Sequence, residues 1–120
     1  MSEAIVRPTL HDLPAKARRD VIGLLNRRLA DLLDLQSHAR QAHWNVRGAH
    51  FIALHELFDD VIEALDGAID DVAERAVQLG GQANGLLKET AKASSLKGYN
   101  PSKDAKSVGA GHVRALSRRL

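Results

Sequence analysis

The sequence predicts an all-α chain built on a long two-helix hairpin, and three observations carry that reading. Apolar residues recur at three- and four-residue steps over two long stretches, glycines close both stretches, and no segment alternates with the period of two that a strand requires. Residues 1 to 14, with Pro8 and Pro14 and little periodicity, read as an extended arm in which Asp12 caps a helix that begins near Pro14.

The first helix carries its apolar stripe on Val21, Leu24, Leu25, Leu29, Leu32, Leu33, Leu35, Ala39, Ala42 and His43, with Arg18, Arg19, Arg27, Arg28, Asp31, Asp34 and Arg40 mostly between them. Asn45 and Gly48 end it, because both residue types tolerate the left-handed backbone of a helix C-terminus. A second helix covers roughly residues 50 to 79, with Leu54, Leu57, Phe58, Val61, Ile62, Leu65, Ile69, Val72, Ala76 and Leu79 as its apolar set, and Gly80 and Gly81 stop it. The short link between the two makes them antiparallel neighbours. A short helix follows near Leu86 to Leu96, then a loop through Gly98, Tyr99, Asn100 and Pro101, and the start of a third bundle helix from about Gly111 (Val113, Leu116, Leu120). The whole of residues 1 to 120 reads as one domain, with no internal repeat. Two amphipathic helices cannot cover each other's stripes completely, so association with further copies is expected.

Composition narrows the function classes. The chain has no cysteine, which excludes disulfide staples, thiolate metal sites and thiol catalysis. Aromatic residues make up only 3%, which argues against a base-stacking platform. The N-terminus lacks the apolar run of a signal peptide and no stretch approaches a membrane span, so a cytoplasmic location is expected. The net charge of +2 conceals a split: residues 1 to 50 hold 8 Lys/Arg against 5 Asp/Glu, residues 51 to 81 hold 1 against 8, and residues 82 to 120 hold 8 against 2. The middle of the chain is an acidic island between basic flanks, and such an island needs a cationic partner.

On the second helix His55 and Asp59 are four residues apart, as are Asp70 and Glu74, so each couple lies on one helix face and suits chelation of a metal ion. The eleven residues from Asp59 to Asp70 return to within roughly 20° of the same face. The couples are about 15 residues apart between centres, roughly 22 Å along a helix, so a single chain cannot bring both to one ion. A two-fold partner can, if two such helices cross antiparallel where Ala64, Gly67 and Ala68 permit close approach; His55 and Asp59 of one chain then meet Asp70 and Glu74 of the other, twice per dimer. His43, across the turn from His55, is placed to add a second imidazole. Mixed imidazole and carboxylate ligands suit iron, manganese or zinc, and carboxylate-rich helical sites commonly hold two irons.

The run HWNVRG, the run FIALHELFDD and the following DDVAERAVQLGG together resemble the Dps family, the DNA-binding proteins from starved cells, which are ferritin-like mini-shells. The resemblance spans roughly residues 20 to 100. It implies a ferritin-like helical bundle and a di-iron ferroxidase centre between subunits, in which His43, His55 and Asp59 come from one chain and Asp70 and Glu74 from its mate. It further implies oxidation of Fe(II), preferably by hydrogen peroxide, storage of the ferric product in a twelve-subunit homo-oligomer, and protection of DNA from oxidative damage, with association with the nucleoid. Trp44 matches the family's tryptophan near the site; without the resemblance it reads as core or interface filler. The expected subunit is C-terminally incomplete, since Leu120 falls just inside the third bundle helix and the family's fourth helix is absent.

The remaining polar residues read more plainly. Asp60, Glu63, Asp66 and Asp71 are solvent or salt-bridge residues, with Glu63 and Asp66 near enough to the ligand face to guide iron inward. His11, His38, His50 and His112 are surface or packing histidines. The basic segment, with Lys88, Lys92, Lys97, Lys103, Lys106, Arg114, Arg118 and Arg119, suits salt-sensitive, non-specific phosphate contact. It supports the alternative of a non-enzymatic DNA-compacting or scaffolding helical protein without iron turnover; a hairpin dimer whose acidic face is purely structural is the third reading.

Overall fold

The computed structural model describes residues 6 to 9 and 12 to 100. It contains three helices, α1 (Ala15–Asn45), α2 (Phe51–Gln78) and α3 (Leu87–Ala93), and no strand among the described residues. The predicted helix from Gly111, His11, His112 and the basic residues beyond Asn100 lie outside them. None of the helices is long and apolar enough to cross a membrane. Two compact units divide the chain, Met1–Leu33 with Gly67–Ser95 and Asp34–Asp66 with Leu96–Leu120, so that α1 and α2 each contribute to both.

In the second unit Leu35, Ala39, Ala42 and Val46 pack on Phe58 and Ile62, with Leu54, Val61, Leu65, Leu96 and Tyr99 partly buried against them. Residues 35, 39, 42 and 46 follow the spacing that puts one stripe on one helix face, and alanines at two of these positions let the chains approach closely around the large Phe58 ring. The connection is short because α1 ends abruptly. The Val46 N–H still donates to the Ala42 carbonyl at 2.9 Å, Gly48 adopts φ +112°, and the Phe51 N–H donates to the Gly48 carbonyl at 3.2 Å to start α2. Gly48 therefore acts as the chain-reversing residue the sequence predicts, in a backbone region that a Cβ disfavours.

In the first unit the core is smaller, with Ile22, Leu29 and Ala30 from α1 and Ala76 and Leu79 from α2. Polar clamps supplement it. Buried Arg18 donates to the carbonyls of Leu13, Arg7 and Leu79, and buried Asn26 donates to the Gln82 carbonyl while accepting from the Asn84 N–H. Further along α1, Asp31 accepts from the N–H and hydroxyl of Ser95. Each clamp satisfies backbone groups of a loop that makes no helix or sheet ladder of its own. The end of α2 is a Schellman motif: the Gly81 N–H donates to the Ala76 carbonyl, the Gly80 N–H to the Val77 carbonyl, and Gly80 takes φ +97°.

One boundary is corrected, and the incomplete cover of the stripes is as expected. Leu24 and Leu57 are 48% and 44% exposed. Leu24 sits about 200° around α1 from buried Ile22 and Leu57 about 100° around α2 from buried Phe58, and only one stripe of each helix is covered within the chain. The short helix stops at Ala93, not Leu96: Ser94 is extended, Ser95 is drawn to Asp31, and Leu96 joins the apolar cluster of the second unit. Trp44 is 67% exposed and is not part of the core of the chain.

Candidate metal centre

His43 lies near the end of α1 and His55 in the first turns of α2, in the second unit. Their rings stack with centroids 3.7 Å apart and planes 21° from parallel. Each ring uses Nδ1 on the other residue's backbone: His43 Nδ1 to the His55 carbonyl at 2.8 Å, and His55 Nδ1 to the His43 carbonyl at 2.9 Å. A carbonyl oxygen only accepts, so both Nδ1 atoms carry the proton, and in the neutral rings both Nε2 atoms keep their lone pairs. This is the tautomer a metal-ligating histidine needs, oriented by a second hydrogen bond to a backbone carbonyl.

Local structure explains the pairing. His43 is among the last residues of α1, whose carbonyls have no partner further along the helix, and the His55 imidazole satisfies one of them. Phe51, the first residue of α2 and one turn before His55, stacks on the His55 ring at 4.9 Å and 28°. This third ring carries no ligand atom, and metal-ligand spacing in the sequence does not single it out. The four-residue step from Phe51 to His55, the helical spacing for side-chain pairs, is the one signal that points to it.

Asp59, one turn beyond His55, has a side chain 61% exposed, with its carboxylate 3.8 Å from His43 Nδ1. Three of the five predicted site residues thus stand together in the second unit. Asp70 and Glu74 stand one turn apart on α2 in the first unit, both exposed and neither hydrogen-bonded nor ion-paired among the described residues. Glu74 borders a surface groove of about 520 Å³ with Leu25, Asp71, Val72, Arg75 and Gln78. Among the described residues no group of three or more His, Asp or Glu is close enough to hold a metal ion by itself.

The other polar candidates are placed as follows. Asp66 accepts from Gln36 Nε2 at 2.7 Å, and the same amide nitrogen donates to the Ile62 carbonyl, so Asp66 is oriented by α1. His38 is a packing histidine, 5% exposed, with Nε2 3.1 Å from Asp34 and its ring tilted on Tyr99. His50 is exposed. Trp44 stands at a pocket of about 390 Å³ shared with Arg40, Gln41 and Tyr99.

A model of the ferritin-like domain matches residues 22 to 113. The DNA protection during starvation protein of Agrobacterium fabrum is 48% identical over 91 residues, 76% of this chain and 56% of that protein. DpsA14 from Streptomyces coelicolor superposes with a TM-score of 0.88 at 31% identity, covering 98% of this chain and 68% of the other. The chain belongs to the ferritin-like family, on its Dps branch. A Dps protein from Vibrio cholerae, described as a member of the ferritin-like diiron-carboxylate superfamily, superposes with a TM-score of 0.84 at 25% identity, over 98% of this chain and 71% of that one. The chain spans about half the length of the sequence relatives it matches.

Proposed function

We propose that this chain oxidises Fe(II) at a di-iron site shared between two subunits and sequesters the ferric product, removing iron that would otherwise damage DNA. His43, His55 and Asp59 of one subunit act with Asp70 and Glu74 of its mate. The observation that carries the reading is the reciprocal histidine latch, which engages both Nδ1 atoms and leaves both Nε2 lone pairs off the backbone, with the Asp59 carboxylate 3.8 Å from His43 Nδ1, in a Dps-branch fold. Neutral imidazoles hold a divalent ion without adding charge, and the carboxylates from the mate neutralise the ferric product. Asp70 and Glu74, like charges one turn apart, repel each other by about 0.2–0.5 kcal/mol on a free helix, and a shared cation reverses the sign of that contribution.

With hydrogen peroxide as oxidant, two Fe(II) each give one electron, the O–O bond breaks, and two protons complete two waters. No hydroxyl radical is released. The test is anaerobic addition of two Fe(II) per expected site, then one hydrogen peroxide per two irons, with ferric absorbance followed in time. Rapid, stoichiometric oxidation that is abolished by Asp59→Ala or Glu74→Ala with helicity unchanged is expected. Oxidation no faster than free iron, or kinetics unaffected by both substitutions, overturns the reading.

A second, non-enzymatic reading is direct, salt-sensitive contact with DNA phosphates, favoured by the exposure of Lys88, Lys92 and Lys97 and by the DNA-protection names of the relatives. DNA retardation that fades with salt and occurs without iron turnover is its signature.

A further inference from the structure

We infer that Phe51 is a positioning residue that fixes the metal-ligating face of His55, an inference that rests on the two-imidazole centre proposed above. A single hydrogen bond from Nδ1 to a carbonyl leaves an imidazole free to turn about χ2, which breaks that bond and lets the proton settle on either nitrogen. Contact with the flat face of the ring removes that freedom. His43 supplies one such contact, but its own ring is held by the mirror image of the same latch, so each imidazole is held only as firmly as the other. Phe51 is the ring contact outside that pair. It stacks on His55 at 4.9 Å and its backbone is anchored by the hydrogen bond from its N–H to the Gly48 carbonyl where α2 starts.

Phe51 is also poorly placed to be a core residue. It is 38% exposed and takes no part in the apolar cluster around Phe58. An aromatic ring at an exposed helix start, one turn before a histidine proposed as a ligand and stacked on it at 28°, is placed to act on that histidine.

The test begins with metal-free protein labelled with ¹⁵N at histidine, in which long-range ¹H–¹⁵N correlations report the tautomer of each ring. The native protein is expected to show His43 and His55 as single Nδ1–H tautomers. Phe51→Leu and Phe51→Met should retain native helicity while His55 becomes a mixture of tautomers, and Phe51→Tyr should restore the single form. Co(II), added alone as a spectroscopic probe, should bind about tenfold more weakly to Phe51→Leu than to the native chain, the size of effect typical of groups that orient a metal ligand, and Phe51→Tyr should recover the native affinity. A single Nδ1–H tautomer for His55 in both aliphatic variants overturns the role of Phe51. Failure of the native protein to bind Co(II) overturns the metal-centre reading instead, and the tautomer result still decides the positioning role.

Discussion

In the second unit the chemistry-bearing side chains are held by one another: His43 and His55 exchange hydrogen bonds with each other's carbonyls, Phe51 stacks beside them, and Asp59 stands at the edge. In the first unit the polar side chains that are held, Arg18, Asn26 and Asp31, hold loop backbone, while Asp70 and Glu74 are exposed and unengaged. The difference separates two ways of keeping a polar side chain. Imidazoles tolerate burial next to carbonyls because the neutral ring has a proton to donate. Carboxylates have only acceptors, and an unpaired one stays in water until a cation arrives.

The sharpest way to break this comparison is complementation. Asp59→Ala and Glu74→Ala should each abolish peroxide-driven iron oxidation. If the halves come from different chains, unfolding and refolding the two variants together should restore activity to roughly a quarter of the native value, because half of a statistical mixture is mixed dimer and each mixed dimer regains one of two sites. Stopped-flow ferric absorbance reads the outcome; no recovery on mixing would overturn the shared site.

Stability probes the apolar side of the contrast. Phe58, 2% exposed at the centre of the second unit's cluster, should cost about 3–5 kcal/mol as Phe58→Ala, seen as a lower urea midpoint. The two chain-reversing glycines sharpen it further. At Gly80 an added Cβ would clash with the Arg7 carbonyl oxygen and lie 2.8 Å from the Arg18 guanidinium, so Gly80→Ala should destabilise by about 2–3 kcal/mol, seen as a lower urea midpoint. At Gly48 nothing lies within 4 Å of such a Cβ, so Gly48→Ala should cost only its backbone strain, about 1 kcal/mol. Equal losses at the two glycines would mean that the arm contact in the first unit contributes nothing.

Much of this was legible in the residues. The three-and-four spacing marked α1 and α2 almost to their ends, and Gly48 and Gly80 both adopt the positive φ that their positions after the apolar stripes suggested. The nearness of His43, His55 and Asp59 was legible from the four-residue step between His55 and Asp59 and from the place of His43 across the turn. That the stripes stay partly uncovered was legible, but that Leu24 and Leu57 are among the uncovered residues was not, because periodicity marks a stripe and not the part of it a neighbour covers. Phe51 was passed over because an aromatic at a helix start looks like any other apolar residue until the ring it touches is known.

The sequence by itself determined the helices, their ends, the acidic island and the chemical types available at the site, because these depend on spacing within a few residues of one another and on side-chain identity. Only the tertiary structure decided which nitrogen of each histidine carries the proton, which polar side chains are spent on loop carbonyls and which remain open to an ion. Those choices depend on which backbone carbonyl a side chain meets across the fold, and a hydrogen bond between residues 43 and 55 or 18 and 79 exists only once the helices have packed.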